Sequence, residues 1–519
     1  MIKRAYEAGA DTLPSEVFYF PSQAQSNIYN LTYVESKRPL ACSPGNLSEV
    51  DKCDVIVAYY RPVRPFITVA DPYPNKHSCA IHRFLSNGHS LNAVVKHLDF
   101  VYLPGASDIV CTNALFDSST NEYVIGIGFV KDREKGYLNI YGSTSEEELA
   151  ECCLSFSELS AMPLHLTHTY YLSPSTGKLQ WAFILSCGNP LKEETPPSPG
   201  HFDSAFKPPV RVFAQLCDTT TPKEPKNNAV PDSDRLCSTS SSSTEPKTTR
   251  RTSSESINTI YGELSVTSAA NLFPELAHLP ETTILYMDFV IRSTVTPMIR
   301  LAAFGAQDGW FAVYETDMNQ PAVLRQFMFS HDSAITHVKL FNPDADQCDF
   351  NANLTCKREH GSEKSGSQRI DLLVCSAFES AVVYTNILEA NTLSLENQII
   401  LPQSADFDHV NCASVGDYDF DGQAEIVLGT FGQCLLFYHW ETTAKTKVGA
   451  EQTHSAGEYR LIAQKRLIAP VHCLLPPLDL AGDGLCSLVV LSSRGLHIYR
   501  HSVEFVLDLI SDRLSQLLG

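Results

Sequence analysis

The stretch that decides the fold is GDYDFDGQAEIVLGTFGQCLLFYHW, residues 416–440. It starts with a turn in which acidic and aromatic residues alternate, and it continues as two apolar runs separated by FGQ (431–433). Runs rich in β-branched and aromatic residues that flank a short Gly-containing break are typical of a β-hairpin. The stretch therefore predicts an acidic turn that leads into two antiparallel strands.

The same plan recurs along the chain. An apolar strand, a short turn and a second strand ending near a tyrosine occur in segments 300–315, 370–386, 425–440 and 487–501. A weaker copy ends near Tyr141, and intervals of 70, 54 and 61 residues separate the tyrosines of the four segments, Tyr314, Tyr384, Tyr438 and Tyr499. Hairpins at this interval favour the blades of a β-propeller over unrelated hairpins in a β-sandwich. We therefore predict an all-β protein, a β-propeller of about seven blades.

Composition narrows the classes of protein. The chain has 519 residues, of which 43% are hydrophobic and 19% are charged, as in globular proteins with a substantial core. A net charge of -20 argues against nucleic acid as a partner, because nonspecific binding to phosphate needs a basic surface. We expect no transmembrane segment, since no window offers about 20 apolar residues. The 16 cysteines include no CxxC pair, so we expect reduced thiols and a cytoplasmic protein.

Polar tracts divide the chain. Tracts rich in Pro, Ser, Thr and charge bury too little apolar surface to offset the entropy of ordering. We therefore expect residues 218–258 to be a disordered insertion, and residues 191–208 and 346–368 to be mobile loops within one fold. The predicted parts are an N-terminal extension (1–15), two portions of the propeller (16–217 and 259–501) and a C-terminal segment (502–519).

Within the disordered insertion, the run RRTSS (250–254) places two arginines before Ser253. Basic residues at this spacing are typical of sites for kinases with acidic pockets, so we predict regulatory phosphorylation at Ser253. Exposed loops also carry such runs without any function, and the sequence leaves that alternative open.

The C-terminal segment SVEFVLDLISDRLSQLLG (502–519) changes from strand to helix periodicity. Ser502 can cap the first turn, in which Glu504 is favourably placed. One face of the predicted amphipathic helix carries Val503, Val506, Leu507, Ile510, Leu514, Leu517 and Leu518. This face can pack against the propeller or bind a partner, and the sequence favours neither.

The acidic turn is the candidate metal site. Asp417, Asp419 and Asp421 alternate, and Glu425 follows, so four carboxylates can converge on Ca²⁺, a cation that takes six to eight oxygen ligands. The spacing resembles the calcium-binding hairpin loops of integrin-type (FG-GAP) propeller repeats. The alternative, which we favour, is that the aspartates accept hydrogen bonds from backbone amides of a tight turn.

A second copy of the turn is DLAGDGLCS (479–487). It keeps Asp479, Asp483 and Gly484 but has Ala481 and Ser487 where acidic ligands would be required. The loop is therefore expected to persist here with a weakened cation site, since the number of ligands sets affinity.

Several stretches together resemble the kaptin family of β-propellers. They occur in the family's order over nearly the whole chain: SQAQSNIYNL (22–31), LDFVYLPGASDIVCTNALF (98–116), IGFVKDREKGYLNIY (127–141), NLFPEL (271–276), LPQSADFDHV (401–410), GDYDFDGQAEIVLGTFGQ (416–433) and LDLAGDGLCSLVVLSSRGLHIYRHS (478–502). The tracts 191–208 and 218–258 and the C-terminal helix, which is poor in basic residues, depart from the family.

The resemblance implies a non-enzymatic subunit of the KICSTOR complex at the lysosomal surface. That complex recruits the GATOR complex and lowers TOR signalling when amino acids or glucose are scarce. Implied partners are a second FG-GAP-type propeller and a large scaffold protein. The family is also described as binding F-actin in cell protrusions, which gives an alternative function. A calcium-dependent binding or hydrolytic propeller is a second alternative, although no catalytic motif is found.

Overall fold

The computed structural model describes residues 13–21, 31–39, 49–62, 75–86, 91–98, 100–103, 107–117, 119–131, 135–145, 148–190, 209–216, 260–293, 298–343, 369–389, 397–442 and 457–518. These residues form seven sheets, each of four antiparallel strands. The prediction of an all-β propeller of about seven blades is confirmed. The tracts 191–208, 218–258 (with Ser253) and 346–368 lie outside the described residues.

The strands follow the chain blade by blade, except that the first one belongs to the last blade. That strand is β1 (Ser15–Pro21). Blade 1 comprises β2 (Leu31–Pro39), β3 (Glu49–Pro62), β4 (Asn75–Ser86) and β5 (Leu91–Leu98). Blade 2 comprises β6 (Ser107–Asp117), β7 (Glu122–Lys131), β8 (Lys135–Ser143) and β9 (Cys153–Leu159). Blade 3 comprises β10 (Ala161–Leu172), β11 (Leu179–Pro190), β12 (Val210–Leu216) and β13 (Ile260–Glu263).

The second half continues in the same order. Blade 4 comprises β14 (Ile284–Ser293), β15 (Met298–Ala306), β16 (Trp310–Asp317) and β17 (Ala322–Ser330). Blade 5 comprises β18 (Ile335–Phe341), β19 (Asp371–Ser376), β20 (Val382–Tyr384) and β21 (Gln398–Ile400). Blade 6 comprises β22 (Val410–Gly416), β23 (Glu425–Thr430), β24 (Cys434–Thr442) and β25 (Gly457–Arg466). Blade 7 comprises β26 (Val471–Leu474), β27 (Ser487–Ser492), β28 (Gly495–Arg500) and β1.

Helices lie outside the blades. Helix α1 (Val266–Leu272) and a 3₁₀ turn (Pro274–His278) connect blades 3 and 4, and a second 3₁₀ turn (Ser404–Phe407) connects blades 5 and 6. The predicted C-terminal helix is present as α2 (Val503–Leu518).

The ring is closed by the first strand. β1 pairs antiparallel with β28, and the register runs from Ser15 opposite Arg500 to Pro21 opposite Gly495. Because β26, β27 and β28 come from the other end of the sequence, blade 7 joins two distant parts of the chain. The completed blade 7 packs on blade 1 through an apolar cluster that includes Val57 and Val489.

The core lies between neighbouring blades. At Gly429 on β23, an added Cβ would lie 2.6 Å from Cγ1 of Val471 on the next blade and 2.7 Å from Sγ of Cys412. Real Cβ atoms do not approach this closely, so only glycine lets the first strand of blade 7 pack on blade 6. Close packing between blades 6 and 7 therefore explains why a glycine lies within the apolar run VLGT (427–430).

The recurring tyrosines fix the connections between blades. On the third strand of blades 2, 4 and 6, the tyrosine hydroxyl donates to a backbone oxygen just before that blade's first strand. The pairs are Tyr141 with Val101 at 2.6 Å, Tyr314 with His278 at 3.2 Å, and Tyr438 with Pro402 at 3.0 Å. In blade 5 the hydroxyl of Tyr384 lies 3.2 Å from Nε2 of His331. Four of the five tyrosines identified from the sequence therefore tie the incoming segment to its own blade.

Polar side chains also join the innermost strands near the propeller axis. Thr336 lies at a register shift in β18, and its Oγ1 donates to the Val410 oxygen at 2.6 Å. Asn411 lies at the corresponding shift in β22, and its Nδ2 donates to the Val471 oxygen at 2.6 Å. Each bulge therefore turns a side chain toward the next blade.

A buried ion pair holds the connection between blades 3 and 4. Arg300 on β15 is 1% exposed and Glu275 of the 3₁₀ turn is 0% exposed. Nε of Arg300 donates to Oε1 at 2.7 Å, Nη2 donates to Oε2 at 3.1 Å, and Oγ1 of Thr316 adds a third bond at 3.1 Å. The guanidinium also lies 4.4 Å from the ring centre of Phe273. This network fixes the NLFPEL segment against the ring.

Candidate acidic site and C-terminal helix

The acidic loop of blade 6 lies between β22 and β23 and is held by its own side chains. Both oxygens of Asp417 accept backbone hydrogen bonds, from Asp421 at 3.0 Å and from Gly422 at 2.9 Å. Phe420 and Gly422 have φ angles of 59° and 88°, so the chain passes through the left-handed region twice. These contacts are the turn hydrogen bonds that the sequence favoured.

Glu425 anchors the base of the loop. It is the first residue of β23 and is fully buried. Its Oε2 accepts from the backbone amides of Tyr418 at 2.7 Å and Asp419 at 3.3 Å. Its Oε1 accepts from Nδ1 of His439, on β24, at 3.1 Å. A buried carboxylate that takes three donors in this way is a structural centre of the loop.

His439 is the basic side chain that lies against the acidic loop. Its ring nitrogens lie 3.7 Å from a carboxylate oxygen of Asp419 and 4.0 Å from one of Asp421. Burial alone would lower the pKa of this imidazole, but the three surrounding carboxylates outweigh burial and raise it. The carboxylates therefore stabilise the protonated form of this imidazole relative to that of a free histidine.

The acid groups respond to the same surroundings. Burial raises the pKa of the Glu425 carboxyl, against the opposing hydrogen bond from His439. Burial also raises the pKa of Asp417 to about 6, and the negative charges of Asp419 and Asp421 add to this effect. The loop is thus an environment that concentrates negative charge while removing it from water.

Blade 7 repeats the loop with an arginine in place of the histidine. Asp479 accepts from the backbone amides of Asp483 at 3.2 Å and Gly484 at 2.7 Å, which correspond to the Asp421 and Gly422 amides that donate to Asp417 in blade 6. Gly482, with a φ of 72°, takes the place of Phe420. The guanidinium of Arg500, at the end of β28, donates to Asp483. In both blades a basic side chain of the third strand reaches the acidic loop.

The predicted calcium ligands come together in part. The carboxylate oxygens of Asp417, Asp419 and Glu425 lie within 4.8 Å of one another, and those of Asp419 and Asp421 form a second group with His439. Four carboxylates suit a hard cation, but backbone amides already donate to many of their oxygens and the His439 ring lies against three of the four carboxylates. Calcium binding at this loop stays a prediction.

Sequence reasoning missed His439 and Arg500. The signal was present, because the repeated hairpins end in the pairs Tyr-His (438–439) and Tyr-Arg (499–500). Adjacent residues of a strand point to opposite faces, so a tyrosine in the core places the next residue on the other side. The aligned repeats therefore carried the position of both basic residues.

Helix α2 packs beside the blade 6 loop. Nε2 of His501 donates to the Tyr418 oxygen at 2.7 Å, and the His501 ring stacks on Phe505 at 4.7 Å between centroids. Arg513 donates to the backbone oxygen of Phe420. As predicted, Ser502 caps the first turn, accepting from the Phe505 amide at 3.1 Å. The helix is therefore attached to a face of the propeller at its N-terminus and, further along, through Arg513.

Only part of the predicted apolar face is covered. Val506 is buried, whereas Val503, Leu507, Ile510 and Leu514 are exposed. The side chains of Leu517 and Leu518, the other two residues of that face, lie outside the part of the chain that the structure describes. Among the described residues, no helix has the length and apolar content required to cross a membrane.

Seven four-stranded blades closed by β1, with a helix and an acidic loop on one face, define the class: a seven-bladed β-propeller. The profile of the family described as KICSTOR complex protein kaptin matches residues 76–191 and 253–511. The chain belongs to the kaptin family.

A relative and two solved structures add detail. KICSTOR complex protein kaptin from Mus musculus is 27% identical over 442 residues, which cover 83% of this chain and 82% of the mouse protein. The Dos1 propeller is 7% identical with a TM-score of 0.42, covering 94% of this chain and 95% of that chain. Sqt1 of Saccharomyces cerevisiae is 8% identical with a TM-score of 0.41, covering 94% and 99%. Because both TM-scores are below 0.5, the assignment of a seven-bladed propeller rests on the seven sheets of this chain and not on these two structures.

Proposed function

We propose that this protein is a non-enzymatic adaptor subunit of a KICSTOR complex. The observation that carries the proposal is the match to the family described as KICSTOR complex protein kaptin, over residues 76–191 and 253–511. The mouse relative bears the same description and aligns with most of this chain. The match spans both halves of the ring, so it concerns the propeller as a whole.

The proposed mechanism is positional. A closed ring of seven blades offers a rigid body with loops on two faces and strands on its rim, which suits simultaneous contact with several proteins. Its partners are a second FG-GAP-type propeller, a large scaffold protein and, through them, the GATOR complex. By holding these at the lysosomal surface, the protein lowers TOR signalling when amino acids or glucose are scarce. Multivalent attachment supplies the affinity that single contacts lack.

Affinity purification with mass spectrometry tests the proposal. The protein is tagged at its N-terminus in its own cells, and the recovered proteins are compared with those from cells with the tag alone. We expect a very large scaffold and a second propeller in near-equal amounts with the tagged protein. In cells lacking the protein, TOR substrates should stay phosphorylated after amino-acid withdrawal, and re-expression should restore the response.

The same experiment addresses the actin alternative. Purified protein is sedimented with F-actin, with bovine serum albumin as the control for trapping. An adaptor of nutrient signalling should stay in the supernatant. Recovery of actin without the scaffold and the second propeller, together with cosedimentation, would replace the proposal with an actin-binding function.

A further inference from the structure

A cavity opens on the rim of the ring, beside the outermost strand of blade 2. It has a volume of about 440 Å³ and is lined by residues 153–156 of β9 and by Tyr102, in the segment that leads from blade 1 into blade 2. A volume of this order holds a small group or a single long side chain. The acidic loop and helix α2 lie on blade 6, so this cavity is a separate feature of the fold.

Two exposed aromatic rings form walls of the cavity. Tyr102 is 68% exposed and Phe156 is 54% exposed. The ring centroids lie 6.5 Å apart, and the ring planes are inclined by 63°. A cation is attracted to an aromatic ring when it lies over the ring face within about 6 Å of the centroid. A charged group in the angle between these rings is therefore within reach of both.

A run of rings that reaches the core holds Phe156 in place. The centroid of Phe156 lies 5.3 Å from that of Tyr137, and Tyr137 stacks on Phe129 at 5.2 Å between centroids. Tyr137 and Phe129 are both buried. The Phe156 ring is therefore fixed from one side while more than half of the residue stays open to solvent.

The backbone holds Tyr102 in an unusual conformation. Its φ angle of 59° lies in the left-handed region, which residues with a side chain rarely adopt. The Tyr102 oxygen accepts from Nδ2 of Asn139 at 3.2 Å, and the amide of Val101 donates to the Ala150 oxygen at 3.0 Å. These bonds fix a strained residue that is itself mostly exposed. Strain of this kind is found more often at binding sites than elsewhere.

The two segments that form the cavity are acidic. Residues 100–103 and 148–159 contain three glutamates and no lysine, arginine or histidine. Glu148 and Glu151 are exposed on the loop whose Ala150 oxygen binds Val101, next to Tyr102. The third, Glu158, pairs with Lys135 at 2.8 Å. The local charge therefore favours a positive group at the cavity and disfavours a carboxylate.

We propose that the cavity of blade 2 binds an arginine side chain of a partner protein. The guanidinium is planar and more weakly hydrated than the ammonium group of lysine, so it stacks on the faces of Tyr102 and Phe156. A small free ligand is held by enclosing most of its surface, whereas both of these residues are more than half exposed. The open cavity therefore suits a side chain that a larger partner carries. This inference goes beyond the proposed function and does not depend on it.

The test uses the full chain and three synthetic peptides with blocked ends. Each peptide has one central residue, arginine, lysine or citrulline, flanked by glycine and serine. Citrulline keeps the shape of arginine without its charge, and lysine keeps the charge without the planar group. Ligand-observed NMR titration gives each Kd. We expect the arginine peptide to bind at least about fivefold more tightly than the citrulline peptide, and more tightly than the lysine peptide.

The variant Tyr102→Leu/Phe156→Leu removes both rings and keeps every charge. It should bind the arginine peptide at least about fivefold more weakly than the wild type, because two cation–π contacts are lost. General attraction to the acidic protein is the same in both, so it cannot produce this difference. The urea midpoint of the variant checks that the fold is retained.

A matched control changes exposed rings elsewhere. Phe378→Leu/Phe431→Leu alters two phenylalanines of blades 5 and 6 that are 86% and 46% exposed. This variant loses as many aromatic rings as the cavity variant but none at the cavity. Its Kd for the arginine peptide should stay within about twofold of the wild-type value.

A second pair of variants tests the charge beside the cavity. Glu148→Gln/Glu151→Gln should weaken binding of the arginine peptide by at least about twofold. Asp508→Asn/Asp512→Asn changes the net charge by the same amount on α2, far from blade 2, and should have a smaller effect.

Three results would overturn the proposal. Equal Kd values for the wild type and Tyr102→Leu/Phe156→Leu would show that the arginine peptide responds only to general charge. Equal Kd values for the arginine and citrulline peptides would show that the cavity does not recognise a cation. A proline-rich peptide of the same length that binds more tightly than the arginine peptide, and only when both rings are present, would identify a proline-rich segment as the occupant.

Discussion

Removing the positive partner of the buried Arg300–Glu275 pair should strongly destabilise the propeller. In Arg300→Met, the Glu275 carboxylate stays fully buried and keeps only the Thr316 hydroxyl at 3.1 Å. Two bonds from the guanidinium to the carboxylate are lost, as are those to the oxygens of Tyr170 at 3.1 Å and Leu272 at 3.0 Å. Breaking a buried pair on one side costs about 3–5 kcal/mol, because an uncompensated charge remains.

The assay is equilibrium unfolding in urea at pH 7, followed by tryptophan fluorescence. The double variant Arg300→Met/Glu275→Gln removes both charges, so it should recover about 2 kcal/mol relative to Arg300→Met. The control Arg460→Met breaks a pair whose side chains are 67% and 39% exposed, and should cost less than about 1 kcal/mol. If Arg300→Met matched Arg460→Met, or the double variant were no more stable than the single one, the reasoning would be refuted.

Three further predictions concern packing, pH and metal. Gly429→Ala should lower the free energy of unfolding by about 1–3 kcal/mol, because its Cβ would lie 2.6 Å from Val471. The control Gly177→Ala has open space around it and should show only the strain of its φ of 63°. Midpoints of urea unfolding compare the two variants. Burial lowers the pKa of His165 to about 3, so below pH 6.5 the unfolded chain binds a proton that the folded chain does not, and stability falls as pH decreases. The variant His165→Asn keeps an acceptor for the Met287 amide but cannot bind that proton. It should therefore reduce the slope of stability against pH by up to about 1.4 kcal/mol per pH unit between pH 6 and 4. Calcium at 1 mM should leave the Tm within about 1 °C of that in EDTA, since backbone amides and His439 already satisfy the blade 6 carboxylates; an increase that Asp419→Asn abolishes would instead establish a calcium site.

The sequence predicts those parts of the fold that depend on local pattern. Apolar strand runs and a tyrosine near the end of five of the hairpins were sufficient to predict the blades, because in four of them the tyrosine hydroxyl holds the segment that enters the blade. The acidic turn was recognisable because Asp417 accepts hydrogen bonds from backbone amides only four and five residues further along the chain. A local pattern of this kind survives long insertions between the repeats.

Contacts between distant strands could not be read in the same way. His439 reaches the acidic loop from a third strand, and its role depends on the register between β23 and β24 rather than on neighbouring residues. The helical period of α2 placed Val506 and Leu507 on one broad face, yet only Val506 meets the propeller. The part of the apolar face that the propeller covers depends on the direction in which the chain leaves β28. The spacing of apolar residues along the helix does not predict that direction.

The pairing of β1 with β28 has a consequence for the timing of synthesis. Ser15 and Arg500 are separated by 485 residues, so at roughly 5–20 residues per second β1 waits about 25–100 s for its neighbour. Until then its edge is open to wrong partners, and chaperones or slow translation should matter most in this interval. Helix α2 starts three residues after Arg500, and its anchors lie on blade 6. The contacts of α2 with blade 6 therefore form only in chains whose seven blades have all been synthesised.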